Sequence, residues 1–168
     1  MQGVGDVKLF IKEFKQRLID CFKQDWHSAL ESHDFHHVYS NFNHSVCSPY
    51  LSLLKNISVR RVFARFRIGI SALKCHCLQY RPVVHDRDIN CPFCNGTLET
   101  EIHFIITCQM YKVLRDELMP LEYYRQPSMS KFFLLSACTN ESTIQKWSIF
   151  VFNALTIRKQ SLSVSVTL

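Results

Sequence analysis

The chain has 168 residues, of which 47% are hydrophobic and 20% charged, with only four Gly and five Pro. This is ordinary globular usage, so it excludes a disordered or fibrous chain and predicts about one domain with a real core. The net charge of +6 predicts an acidic partner such as nucleic acid only where basic residues cluster on one face.

The first residues lack the features of a secretory signal, because Asp6 and Lys8 interrupt them and no apolar h-region follows. The longest apolar stretch, Trp147 to Ile157, is shorter than the about 20 residues that a bilayer-spanning helix needs. We therefore expect an intracellular protein, nuclear or cytoplasmic, with no membrane partner. In such a compartment a C-x-x-C pair is more typical of a metal or redox site than of a disulfide.

Helical periodicity predicts a mainly α fold, a helical domain with a small CCHC zinc-binding subdomain. Apolar residues recur at helical spacing between Asp6 and Leu30, which predicts an amphipathic first helix. A second helix is predicted from an N-cap at Ser58 to about Ile70. Its basic arc is the one place in the sequence where positive charge is both dense and on one face. The arc contains Arg60, Arg61, Arg65 and Arg67.

The remaining elements are predicted from weaker patterns and from Pro120, which ends a helix because proline lacks the backbone N–H. They are a short extended segment at 73–84, a helix from Glu99 or Thr100 to Leu118, and a helix at 131–158 with a tail at 161–168 that pairs as a strand or frays. The predicted division is a helical N-terminal segment (1–54), a basic helix with the zinc-binding core (55–118), a linker (119–130), and a C-terminal helix and tail (131–168).

The most informative segment runs from Cys91 to Cys108 and has the spacing C-x2-C-x8-H-x4-C. Zn²⁺ prefers four N or S ligands in a tetrahedron. Two cysteines two residues apart meet this geometry where the chain turns, which Pro92 and Asn95-Gly96 permit. The second pair is predicted to close the site from one turn of helix. The sequence therefore predicts one structural zinc ion, because four ligands leave no open position for water. The predicted ligands are Cys91, Cys94, His103 and Cys108.

Residues beside the ligands fit this interpretation. Glu99 and Glu101 are predicted in the first helical turn, where exposed backbone N–H groups favour carboxylates. A carboxylate could also orient the second ring nitrogen of His103. The alternative, a redox pair at Cys91 and Cys94, lacks the βαβ context that a thioredoxin-like site needs.

A second cluster, Cys75-His76-Cys77, could bind another metal together with His85. Its C-x-C spacing matches tetrahedral zinc sites poorly, and on a strand His76 would point away from both cysteines. Packing, or a position in a solvated loop, is the preferred interpretation, and a second metal stays an alternative.

The run R-x-F-A-R-F-R-I-G-I-S-A-L and the later C-P-F-C…E-T-E-I-H-F-I-I-T-C-x-x-Y resemble the zinc-binding region that follows the polymerase in non-LTR retrotransposon reverse transcriptases. The similarity covers roughly residues 55–118. It implies an accessory module that contacts RNA or DNA through phosphates. In this chain the matching basic run and helix continuation give the expected nucleic-acid-binding residues. They are Arg60, Arg61, Arg65, Arg67, Lys112 and Arg115.

The departures from that family predict that the chain is not an enzyme. It has no paired aspartates to hold the two metals of a polymerase, and no Pro-Asp follows Cys108, as an endonuclease would require. The sequence therefore predicts a zinc-stabilised nucleic-acid-binding module, a non-catalytic remnant without a small-molecule substrate. The alternative is a structural or protein-interaction domain that kept the zinc fold without binding nucleic acid.

Overall fold

The structure is a computed structural model, and it describes residues 4–32, 48, 50–78 and 89–164. Within these ranges the chain is mainly helical, and its only β pairing is one isolated antiparallel bridge between Asn90 and Leu98. The predicted mainly α fold is confirmed. No helix in the described part of the chain combines the length and apolar character that crossing a bilayer requires.

The chain divides into two compact units, Met1–Val46 and Cys47–Leu168, whereas the sequence had suggested a first boundary after residue 54. The first unit contains helix α1, Val4–Ser32, which confirms the predicted amphipathic first helix. The apolar side chains of α1 between Val7 and Phe22 are exposed, with Phe10 at 66% and Phe22 at 57%. This described stretch of the helix therefore contributes no buried apolar side chain to a core.

The second unit contains short helices and turns around one long helix. In chain order they are α2 (Tyr50–Leu53), α3 (Ile57–Arg67), α4 (Lys74–Leu78), a π-helical turn (His103–Thr107), a 3-10 turn (Gln109–Tyr111), α5 (Lys112–Leu118), α6 (Leu121–Tyr124), α7 (Met129–Ser136) and α8 (Glu141–Val164).

Helix α3 begins two residues earlier than the sequence predicted. Its N-cap is Asn56, not Ser58, because the Asn56 side chain accepts hydrogen bonds from the N–H groups of Ser58 and Val59 at 2.9 and 3.2 Å. The helix ends at Arg67, and Gly69 follows two residues later with a φ of +72°, a left-handed conformation that glycine adopts without strain. The N–H of Ile70 then donates to the Arg65 carbonyl at 2.8 Å, which closes the helix end.

The core lies where α3 packs against α8, and aromatic side chains fill it. The rings of Phe63 on α3 and Trp147 on α8 meet edge to face, with centroids 4.8 Å apart. Phe104 from the π-helical turn contacts both sides, since its ring lies 5.8 Å from Phe66 and 6.2 Å from Phe150. The turn that carries His103 is thereby fixed on the core.

Several predicted elements differ from the structure. The predicted third helix is broken at Cys108, where the backbone is extended. The predicted fourth helix is two helices, because Asn140 caps α8 separately by accepting the Thr143 N–H at 3.0 Å. The predicted linker contains α6 and the start of α7, and the extended segment contains α4. The tail is helical to Val164, and residues 79–88 and 165–168 lie outside the described residues.

Candidate metal centre

A tight reversal of the chain presents the first two cysteines. The N–H of Cys91 donates to the Thr97 carbonyl at 2.7 Å, next to the bridge between Asn90 and Leu98. Gly96 has a φ of +71°, so an L side chain there would strain the backbone although space is open around it. The predicted turn at Asn95-Gly96 is therefore confirmed, and it places the Cys91 and Cys94 thiols on one side of the loop.

The last two residues of the pattern come together through a π-helical turn. In an α-helix of 3.6 residues per turn, a residue five positions on lies about 140° around the axis. Here the Cys108 N–H donates to the His103 carbonyl at 2.7 Å, an i to i+5 bond that brings Cys108 back over His103. The prediction that one helical turn closes the site is confirmed in outline, but the turn is a π turn, a form often found at functional sites.

The side chains of Cys91, Cys94, His103 and Cys108 converge on one point. Each offers a ligand atom, and these atoms all lie within 4.8 Å of one another. The Cys108 Sγ is 3.9 Å from the Cys91 Sγ and 3.7 Å from the Cys94 Sγ, so the thiols are close but not bonded. Three of the four residues are buried and Cys94 is half-buried. The four residues form a cluster that could hold a metal ion.

His103 is oriented for coordination through one specific nitrogen. The Thr107 hydroxyl donates to the His103 carbonyl at 3.4 Å, which leaves its oxygen to accept from Nδ1–H at 3.0 Å. The proton of the neutral imidazole is thus assigned to Nδ1, and Nε2 carries a free lone pair. Nε2 is buried and has no hydrogen-bond partner among the described residues. A buried acceptor left in that state is costly unless something binds to it.

The electrostatics of the site favour neutral groups in the absence of a metal. Burial raises the pKa of the Cys91 thiol and raises that of Cys108 to about 12. Backbone hydrogen bonds act in the opposite direction, from Phe93 and Cys94 on Cys91 and from Met110 on Cys108. Burial also lowers the pKa of His103, so its imidazole is neutral. Those backbone groups are positioned to stabilise thiolates once a cation offsets the cost of burial.

The two glutamates near the site bind elsewhere, so the expectation that a carboxylate orients His103 is wrong. Glu99 is 2% exposed and receives two hydrogen bonds from Arg158 on α8, both at 2.8 Å. Its Oε2 also accepts the Lys74 N–H at 2.8 Å. Glu101 instead contacts His76. Glu99 therefore ties the candidate metal loop to α4 and α8, and Thr107 is the residue that orients His103.

The second cluster brings Cys75, His76 and Glu101 within 4.8 Å of one another, yet its histidine has no nitrogen to offer. The backbone N–H of Ser71 can only donate, and it donates to the His76 Nδ1 at 3.1 Å. Nδ1 is therefore an acceptor, and Nε2–H donates to Glu101 at 2.8 Å. A metal would have to displace one of these bonds. The preferred packing interpretation stands for the described part of this cluster, while His85 lies outside the described residues.

The predicted basic residues on α3 divide into an outer and an inner group. Arg61 and Arg65 are exposed, and Arg60 is half-buried with its Nη1 donating to the Leu51 carbonyl at 2.9 Å. Arg67 turns inward, where its guanidinium carbon lies 5.2 Å from the Tyr50 ring centroid and between further aromatic rings. Arg67 also donates to the Ser136 carbonyl at 3.2 Å, so its guanidinium is part of the core rather than of a phosphate-binding face.

The two predicted basic residues on α5 also differ. Lys112 is exposed and forms a surface ion pair with Asp116 at 3.3 Å. Arg115 is buried, with 4% exposure, and its Nε and Nη2 donate to the carbonyls of Ile105 and Cys108 at 2.6 and 2.8 Å. The expectation that Arg115 faces phosphate is wrong, because its donors point into the protein.

Sequence reasoning missed three residues that position this site. The contact of Thr107 with His103 could have been predicted from the sequence, because residues four positions apart lie on the same face of a helical turn. Glu99 and Arg158 had none, because their pairing joins positions 59 residues apart. Comparisons with protein families, with curated proteins and with solved structures found no match for this chain.

Proposed function

We propose that the cluster is a structural zinc site and that the chain is a zinc-stabilised nucleic-acid-binding module. A tetrahedron with Zn–S bonds of about 2.3 Å has an edge of about 3.8 Å between sulfurs. The Sγ–Sγ distances of 3.9 and 3.7 Å at Cys108 match that edge. Three thiolates with one imidazole are the ligand set that zinc prefers, and four protein ligands leave no position for a catalytic water.

The observation that carries the zinc proposal is the orphaned Nε2 of His103. It is buried without a hydrogen-bond partner among the described residues, and the Thr107 hydroxyl is hydrogen-bonded to the other ring nitrogen. A ring nitrogen of His103 lies within 4.8 Å of three sulfurs. Zinc would supply charge and coordinate bonds there, and the residues of this chain would position the ligand atoms. Thr107 would orient the imidazole, the Cys91–Thr97 turn would hold two thiols, and the π turn would return the third.

Nucleic-acid binding is proposed on two grounds, the family resemblance and the exposed charge of α3. The candidate phosphate contacts are Arg61 and Arg65, with Arg60 beside them and Lys112 on α5. Arg67 and Arg115 take no part, for the reasons given above. The chain's net charge of +6 supports an acidic partner. No base-reading element is proposed, so binding would be through phosphates and without sequence preference.

A protein-interaction domain is the second candidate, and one surface favours it. A groove of about 910 Å³ lies between α3 and α8. Apolar side chains, including Val62, Phe152 and Leu155, line much of it, and Arg65 and Lys159 add positive charge. A groove of this kind suits an apolar segment of another protein better than a phosphate backbone.

The test is a salt-dependent titration of the purified, metal-loaded protein with single-stranded RNA and with duplex DNA. If the four proposed residues contact phosphates, log affinity for the duplex should fall with log salt at a slope of about −3.6, which is about −0.9 per contact. The double variant Arg61→Ser, Arg65→Ser should reduce the magnitude of the slope to about 1.8. Arg125→Ser, an exposed arginine outside α3, is the matched control and should leave it unchanged.

Zinc content measured on the same protein keeps the two parts of the proposal separate. Wild type with one zinc per chain and no affinity for either nucleic acid at low salt would leave the protein-interaction function. Wild type without zinc after purification and reconstitution would contradict the metal site itself.

A further inference from the structure

Arg115 donates hydrogen bonds to two backbone carbonyls at the π-helical turn that leads to the proposed ligand Cys108. Its guanidinium is 4% exposed, and it donates to the Ile105 and Cys108 carbonyls at 2.6 and 2.8 Å. Cys108 is the last residue of the cluster, and Ile105 lies in the same π turn. One side chain from α5 therefore fixes the backbone just where the chain must bend to return a sulfur to the site.

Among the described residues, the buried Arg115 has no carboxylate partner, whereas the buried Arg158 has one. Arg158 is also buried, and Glu99 neutralises it with two hydrogen bonds. For Arg115, no carboxylate comes within ion-pair distance in the part of the chain that the structure describes. Its neighbour Asp116 is exposed and pairs with Lys112 instead. Buried cations are normally paired, because an uncompensated charge in the interior is strongly unfavourable.

The cluster beside Arg115 would carry the opposite charge when loaded. Two positive charges on zinc against three thiolate charges and a neutral imidazole leave one net negative charge. That charge would also be largely buried, since only Cys94 among the ligands is half-exposed. The Arg115 Nη2 donates to the backbone carbonyl of Cys108, one of the four proposed ligands, at 2.8 Å. The guanidinium and the cluster are thus within electrostatic reach of each other.

We infer that Arg115 is the counter-charge of the metal centre and a positioning residue for Cys108. A buried cation that lacks a carboxylate and a buried centre with one excess negative charge compensate each other. The inference rests on the proposed zinc site, and it gives Arg115 a role in metal binding in place of the phosphate contact that the sequence suggested. The centre and Arg115 together are electrically neutral.

The experiment compares Arg115→Lys, which keeps the charge, with Arg115→Gln, which keeps N–H donors but is neutral. Zinc affinity is measured by competition with a chromophoric chelator, and Co²⁺ is used as a spectroscopic probe. Partners just outside the ligands typically change metal affinity by about 10–100-fold. We expect Arg115→Gln to bind zinc about 10–100-fold more weakly than wild type and Arg115→Lys to recover most of that loss. The matched control is the exposed Arg125→Gln, which should bind zinc as wild type does.

The cobalt spectrum separates a charge effect from a loss of packing. Removing a nearby positive charge raises the energy of the thiolate donor orbitals, so the sulfur-to-cobalt charge-transfer band should move to longer wavelength in Arg115→Gln but not in Arg115→Lys. Equal affinities and spectra for the Lys and Gln variants would overturn the inference. If Arg115→Gln does not fold, an Arg115→Lys affinity as low as that of a ligand variant overturns it too. Wild type that binds neither zinc nor cobalt would instead refute the proposed metal site.

Discussion

The part of the chain that the structure describes contains two clusters of metal-binding residue types, and their histidines differ in one respect. In both clusters the potential ligand atoms lie within 4.8 Å of one another, so distance alone does not separate them. His76 accepts the Ser71 N–H at Nδ1 and donates to Glu101 from Nε2, so both nitrogens are used. His103 donates to Thr107 from Nδ1 and has a buried Nε2 without a partner in the described chain. The buried Nε2 without a partner distinguishes the candidate metal cluster from the cluster around His76.

The thiols of the two clusters also differ in which influence on their pKa ranks next after burial. Burial raises the pKa of Cys75, the charges of Glu101 and Glu99 raise it further, and backbone hydrogen bonds lower it to a smaller extent. Burial also raises the pKa of Cys91 and Cys108, but there a backbone hydrogen bond that lowers the pKa is the largest influence after burial. The hydrogen-bond partners of each potential ligand atom are therefore a better guide to a metal site than the proximity of Cys, His and Glu alone.

The largest expected effect is the loss of a metal ligand. Structural zinc contributes about 10–16 kcal/mol of apparent binding free energy in finger peptides, whereas whole domains are stable by about 5–15 kcal/mol. Cys94→Ser should therefore abolish zinc binding and unfold at least residues 90–118. Metal analysis and thermal unfolding followed by circular dichroism measure both.

The matched control for that change is Cys75→Ser, a thiol of the other cluster. It should retain one zinc per chain and a cooperative unfolding transition. If Cys75→Ser lost the metal and Cys94→Ser kept it, the assignment of the two clusters would be reversed.

A large effect is also expected from pH. Ligand thiols must lose their protons to bind a metal, and the pKa values of Cys91 and Cys108 are raised by burial, the latter to about 12. The metal-free state therefore holds more protons, so lowering the pH favours it. Log affinity should fall by up to about three units per pH unit between about pH 8 and pH 6. Cobalt titrations at several pH values measure this slope, and a pH-independent affinity would contradict a thiolate site.

An intermediate effect is expected from His76→Ala. The change leaves the Ser71 N–H and the Glu101 carboxylate without their partner, which costs about 1–3 kcal/mol for each buried group. The free energy of unfolding, measured with denaturant at saturating zinc, should fall by roughly that amount while zinc stoichiometry stays at one. A drop in stoichiometry would indicate that His76 is a ligand after all.

The smallest effect is expected from Thr107→Val, which removes the hydroxyl that fixes the His103 tautomer. Loss of such a partner should weaken zinc binding about 10–100-fold without preventing it. Chelator competition measures the change. Thr97→Val, an exposed threonine in the same loop, is the control, and a similar loss in both variants would deny Thr107 its specific role.

Much of the site could be predicted from local pattern. The ligand set follows from the spacing of three cysteines and a histidine, because short spacings limit how far apart the side chains can lie. The turn at Asn95-Gly96 and the amphipathic helix α1 follow from residue types with strong local preferences. The limits of α3 were less certain, since Asn56 and Ser58 are both good N-caps and only the backbone path selects one.

The sequence did not predict correctly which arginines lie on the surface. The sequence alone does not distinguish exposed from buried arginines. The structure leaves Arg61 and Arg65 exposed, whereas Arg67 and Arg115 donate hydrogen bonds to carbonyls inside the protein. The π turn was also hidden, because the sequence of His103–Thr107 is compatible with an ordinary helix.

The sequence by itself determined the mainly helical fold and which four side chains could share an ion, because both depend on short-range spacing. Only the tertiary structure decided that His103 has a nitrogen without a hydrogen-bond partner among the described residues while His76 has none to spare, which arginines lie in the interior, and that Glu99 pairs with Arg158. These outcomes depend on which distant segments pack together, since burial makes every polar atom's partner decisive for its energy.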